Sequence, residues 1–200
     1  MPSGVEIDGA ANLIGLLKKF EPDLKKKLRL EMAQAINPII REARGYVPDK
    51  PMRNWRSTFN EDNRWPAWNA ATARSGIRFI WGRTKANRAG FAELAKIVNR
   101  SRHGAIAETA GRKNPHGQKW VGPNKDLTTN KVSHSPVESA GRNFIQKLGK
   151  LYGNPKLGYG RYIYRAYLNN NGKAVAAVAK AVERASVELE SRIVKKVANG

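Results

Sequence analysis

Val175, Val178, Val182, Ala185, Leu189, Ile193 and Val197 recur at intervals of three and four, and this stripe does most to restrict how the chain folds. Lys180, Arg184, Glu188 and Arg192 occupy the opposite side of the same stretch. A helix so divided, nearly twenty-three residues long, must bury its apolar side against another element. The N-terminal part supplies one. Leu24, Leu28, Met32, Ala35, Ile36, Ile39 and Ala43 form a second stripe of the same period, preceded by Leu13, Leu16, Leu17 and Phe20. Pro22 suits the first turn of that helix, where no backbone donor is lost, and Asp23 suits its positive end. Pro38 is expected to kink it or cost a turn, and Gly45 and Pro48 to stop it.

Between the two stripes the pattern breaks up. Pro48, Pro51 and Pro66 with Trp55, Trp65 and Trp68 read as a tryptophan-rich loop. Ile77, Phe79 and Trp81 alternate with Arg78 and Ile80, the period of a half-buried strand. A basic turn follows over 82–90, then a second strand or a short helix over 91–98. Residues 101–136 are mostly Gly, Asn, Pro, Lys, Thr and Ser, and read as a long exposed loop with an insertion at 111–136. Helix returns over 136–151, and a turn-rich break at 153–160 leads into Tyr159, Tyr162, Tyr164 and Tyr167. The expected fold is α+β: one domain over 1–200, two long amphipathic helices on a small antiparallel sheet, with extended basic loops.

Charge sits in the same middle region. Residues 51–165 hold 22 Lys and Arg against 6 Asp and Glu, which is +16 of the chain's +21. Like charges do not pack together cheaply, so these side chains face solvent, nucleic acid or an acidic partner. Arg74, Arg78, Arg83, Lys85 and Arg88 spread over the strand and the turn after it, and Arg100, Arg102, Arg112, Lys113 and Lys119 continue the series. At this density they neutralise several phosphates, or they pair with acidic surfaces on neighbouring subunits. Trp55, Trp65 and Trp68 read as interface anchors in preference to base-stacking residues, because Pro, Asn and Arg surround them and no regular sheet does.

Enzymatic patterns find little support. Without cysteine there is no disulfide framework, thiolate nucleophile or thiolate metal site. His103, His116 and His134 lie in polar sequence with few carboxylates near them, so a histidine nuclease using Asn114 is set aside and no metal or cofactor is expected. No G-x-S-x-G elbow surrounds Ser101, Ser133 or Ser135, and GYGRY at 158–162 leads to no GK[ST]. No stretch reaches the ~20 apolar residues of a membrane span, and the start lacks a secretory pattern.

The order of segments resembles one family. A first helix ends in REARGYVP (41–48), a strand follows at GIRFIWG (76–82), and then AKIVNRSRHGAIAETAGR (95–112). A Tyr-rich RYIYRAYLNN (161–170) leads into the closing helix. This is similar to the neck or tail-completion proteins of long-tailed bacteriophages, the group that includes the lambda tail protein Z. Its glycine–glutamate motif falls near Gly104, Ala105, Ile106 and Glu108. DKPMRNWRSTFNEDNRWPAW (49–68) departs from that pattern, as does the basic stretch 111–136. The resemblance implies a non-enzymatic virion protein, made in the host cytoplasm. It would form a homo-oligomeric ring at the head–tail junction and join other connector and tail proteins around the DNA channel. The basic residues would then dock on acidic neighbours in preference to genomic DNA, since a ring needs specific interfaces while DNA slides past. The alternatives are a tail terminator and a basic nucleic-acid-binding protein.

Overall fold

The computed structural model describes residues 13, 15–17, 21–53, 55–58, 66–81, 95–113, 121–125, 132–134, 138–155 and 158–198. Two long helices organise it: α1 (Pro22–Gly45, 24 residues) and α5 (Ile163–Ala198, 36 residues). They run antiparallel, for Glu21 meets Arg192 and Lys196 at one end while Glu42 meets Asn169 and Asn170 at the other. The stripes meet as their periodicity requires. Leu24, Leu28 and Met32 of α1, with Leu13 and Leu17 before it, pack on Ala181, Val182, Ala185 and Leu189 of α5. Burying each large side chain in this layer contributes roughly 1.5–3 kcal/mol. The α5 alanines leave room for the α1 leucines. Pro38 is exposed and α1 continues through it to Gly45, where the expected stop occurs.

Between the long helices lie α2 (Ala70–Gly76), β1 (Ile77–Trp81), β2 (Ala95–Asn99), α3 (Arg102–Thr109), β3 (Val121–Lys125), β4 (Val132–His134), α4 (Glu138–Lys147), β5 (Tyr152–Asn154) and β6 (Gly158–Gly160). The strands form three antiparallel pairs, β1–β2, β3–β4 and β5–β6, so the class is α+β as expected. The strand foreseen at Ile77 is β1, and of the segment expected over 91–98 the described part, from Ala95, is the strand β2, while 91–94 lie outside the described residues. Ile77 pairs with Asn99 and Phe79 with Ile97, which turns Ile77 and Phe79 to the core and Arg78 outward.

Three expectations are corrected. Residues 101–136 are not one long exposed loop: α3 occupies 102–109 and turns His103, Gly104, Ala107 and Glu108 inward, while β3 and β4 form a hairpin within 111–136. Ser101 starts α3 by accepting the Gly104 N–H at 3.1 Å, the capping role for which serine is favoured. The closing helix begins at Ile163, so it takes in Tyr164 and Tyr167. Trp55 and Trp68 of the tryptophan segment are core, as their geometry below shows.

Around α2 and α3 a second apolar centre gathers Ile36, Ile39, Ile40, Ala43, Val47, Trp55, Trp68, Ala73, Ile77, Ala107, Tyr162 and Ala166. Polar ties hold its edges. Arg44 donates twice to the Ile77 carbonyl, at 2.7 and 3.1 Å, fixing α1 to β1. Asn99 accepts the Ser101 N–H at 3.0 Å and its hydroxyl at 2.8 Å. The backbone of Gly76 passes so close that a Cβ there would lie 2.5 Å from Asn99 Oδ1 and 2.8 Å from Ser101 N.

Candidate interaction surfaces

The buried polar centre of the chain lies at the first turn of α5. Helix N-termini leave backbone N–H groups without partners, and here a side chain remote in sequence supplies the acceptor. Glu108, at the end of α3, accepts the Tyr162 N–H at 2.7 Å and the Ile163 N–H at 3.1 Å. Burial pushes its carboxyl above the ordinary range, opposed by the N–H groups of Tyr162, Ile163 and Tyr164 and by the nearby Arg161. The Tyr162 hydroxyl is pushed up to about 12 by its own burial and by the Glu108 charge. Gly160 makes the approach possible, since a Cβ on it would stand 2.2 Å from Glu108 Oε1.

Arg161 completes this node from the other side. Its guanidinium, also buried, donates to the carbonyls of Ala107 and Ala110 at 2.9 Å each, Gly149 at 3.0 Å and Ile145 at 3.4 Å. Those carbonyls belong to the C-terminal ends of α3 and α4, where a positive charge is favoured. Both charges of the node are engaged with backbone, which suits architecture, not chemistry. In the segment that resembles the glycine–glutamate motif, Gly104 packs on Ser101 and Asn99 and Glu108 closes α5.

Two of the aromatic residues expected at an interface, Trp55 and Trp68, belong to the interior. Trp55 and Trp68 are buried, their ring centroids 5.1 Å apart, and Trp55 also lies 5.9 Å from Phe144. Each indole N–H has an internal acceptor: Trp55 donates to the Pro66 carbonyl at 2.9 Å and Trp68 to the Asp49 carbonyl at 2.7 Å. With ring and N–H both satisfied within the chain, neither is available to anchor a partner. His103 packs edge-on against Trp68 and its Nε2 lies 3.0 Å from the Asn69 carbonyl, a structural placement. Trp65 lies outside the described residues.

The basic residues divide. Arg78 on β1, Arg100 after β2 and Arg102 at the start of α3 are exposed, and they gather at one corner because the Arg100 N–H bonds the Gly76 carbonyl at 2.9 Å. Arg112 and Lys113, also exposed, follow the far end of α3, about 12 Å away along its axis. Arg112 lies 5.4 Å from the centre of the Tyr164 ring. Arg74 is internal in role, joining the Val47 carbonyl and the Asp49 carboxylate. Arg83, Lys85, Arg88 and Lys119 lie outside the described residues, as do His116 and Asn114.

A different surface lies at the end of α5. Val187, Val194 and Val197 are 61%, 66% and 76% exposed, and their spacing of seven and three puts them on one helix face. Sequence periodicity alone assigned Val197 to the buried stripe. Leu189 packs with Leu13, Leu17 and the α1 leucines, whereas Val197 follows Lys196, which pairs with Glu21, and belongs to no such cluster among the described residues. Among the described residues no helix is long and apolar enough to cross a membrane, and no group of His, Asp or Glu is arranged to hold a metal ion. No protein-family model, curated protein or solved structure matches the chain.

Proposed function

We propose that the chain is a structural protein of the head–tail junction of a long-tailed bacteriophage. Copies assemble into a ring that joins connector and tail proteins around the DNA channel, and no chemistry is performed. One observation carries the reading: Val187, Val194 and Val197 are exposed on a face of α5 turned away from the layer that packs on α1. Exposed valines in register along one helix face are most readily covered by the same face or an apolar groove of another copy. The order of elements from α1 through the Tyr-rich start of α5 agrees with the family resemblance, and the two buried charges are committed to holding helix ends.

Light scattering on the purified chain at low and high salt, with and without a short DNA duplex, tests this. The expected result is an oligomer that persists at high salt and ignores the duplex. A monomer that binds the duplex at low salt and releases it at high salt would make the chain a nucleic-acid binder through Arg78, Arg100, Arg102 and their neighbours. A monomer indifferent to DNA would remove the self-assembled ring.

A further inference from the structure

Arg165, in the first turn of α5, is held apart from the Glu108 node and from every basic residue considered above. Its guanidinium carbon stands 3.9 Å from the Tyr46 ring centre and 5.1 Å from that of Tyr152, while Lys150 lies 5.7 Å from the same Tyr152 ring. Ring faces fix a guanidinium in place without using its N–H groups. Among the described residues those groups have no hydrogen-bond acceptor. Glu42, whose charge faces Arg165, accepts three other donors: the Tyr46 hydroxyl at 2.5 Å, the Asn169 amide at 2.6 Å, and the Asn170 amide on the second oxygen. The result is a half-buried, oriented fork of donors beside a carboxylate that does not take them.

We propose that Arg165 is a carboxylate-binding site that receives an Asp or Glu side chain from a partner protein. Geometry and charge both favour a carboxylate over a nucleic-acid backbone. The planar fork matches two carboxylate oxygens. Among the described residues in these contacts, Arg165 and Lys150 stand against Glu42, one net positive charge, which suits a single carboxylate and not a run of phosphates. Cations already lie over the Tyr46 and Tyr152 rings, so those faces are not open to stacking bases. Tyr and Arg together are also the residues enriched at protein–protein contact centres. The site is built from α1, β5 and α5 of one copy, so it stands or falls independently of ring assembly.

The test is an NMR titration of the purified chain, reading the Arg165 Nε–H resonance. The probes are a tetraglutamate peptide blocked at both ends, the matching tetraglutamine peptide and a thymidine tetranucleotide. The glutamate peptide is expected to shift the resonance saturably and the glutamine peptide to leave it in place. Affinity should fall about tenfold in Arg165→Lys, which keeps the charge and loses the fork, as loss of a charge-assisted hydrogen bond predicts. Arg78→Gln should bind as the parent does. A resonance unmoved by the glutamate peptide, or moved more by the tetranucleotide, overturns the proposal. The wild-type titration decides this even if the Arg165 variant folds poorly.

Discussion

Glu108 and Tyr162, fifty-four residues apart, are joined by a 2.7 Å hydrogen bond from the Tyr162 backbone N–H to the Glu108 carboxylate. The end of a short helix thereby closes the start of the longest one. Since the carboxylate and the neighbouring Arg161 guanidinium are both buried, removing either leaves backbone groups without partners in a dry interior.

Glu108→Gln keeps the size and replaces one acceptor oxygen by a donor facing a backbone N–H. The expected loss is roughly 1–3 kcal/mol. Gly160→Ala should act in the same direction, because its new Cβ would displace Glu108 Oε1. Calorimetry should record melting temperatures lowered by about 2–4 °C per kcal/mol. Two variants melting with the parent would show that the cap contributes nothing.

Trp68→Ala removes a buried ring together with its hydrogen bond to Asp49, and should cost about 3–5 kcal/mol. Urea unfolding of the isolated chain measures it. A residue reserved for a partner would leave that midpoint where it was.

Leu189→Asp and Val194→Asp, on different faces of α5, should behave differently. Leu189 is packed against α1, and a carboxylate there would unfold the helix pair. Val194 is exposed, so its variant should fold normally by circular dichroism and lose self-association by light scattering. A Val194 variant that still assembles would separate that face from assembly.

Acid should weaken the chain through Glu42. Its carboxyl is held below the ordinary 4.5 by the Tyr46 hydroxyl first and then by Asn169. A depressed native value means that the folded chain binds fewer protons than the unfolded one, so this stability is present above the unfolded value and is lost as pH falls through the folded one. Glu108 has the opposite sign: raised by burial, its contribution declines as pH rises through its folded value. Melting the parent beside Glu42→Gln should show a difference at neutral pH that narrows in acid below 4.5. A constant difference would mean that Glu42 keeps its ordinary value.

Period alone revealed the long helices and β1, because Leu24, Leu28 and Met32 or Ile77 and Phe79 declare a buried side within a few residues. Composition misled where a short element draws its partners from far away. The eight residues of α3 contain Arg, His, Gly, Glu and Thr, and read as loop. The local signal was Ser101 placed to cap, followed by Ala105, Ile106 and Ala107. The tryptophans misled for a related reason. Their acceptors, Pro66 and Asp49, lie eleven and nineteen residues away in chain positions that no spacing rule connects. Arg165 carries no sequence signal that sets it apart from the other cations, since its want of an acceptor among the described residues is a property of three dimensions.

The helix pair is secured unequally along its length. At its start α5 is held by Glu108 and by the interior around Tyr162 and Ala166, and from Ala181 to Leu189 it packs on α1; beyond Leu189 it is held through the ion pairs of Glu21 with Arg192 and Lys196, whose basic partners are exposed. Such pairs weaken as salt rises, while the buried start does not. Amide hydrogens should therefore exchange along a gradient, slowest just after Ile163 and fastest toward Ala198. The segment that fraying releases first is the one bearing Val194 and Val197, so docking of another molecule there would also stop the fraying and slow exchange back along the helix.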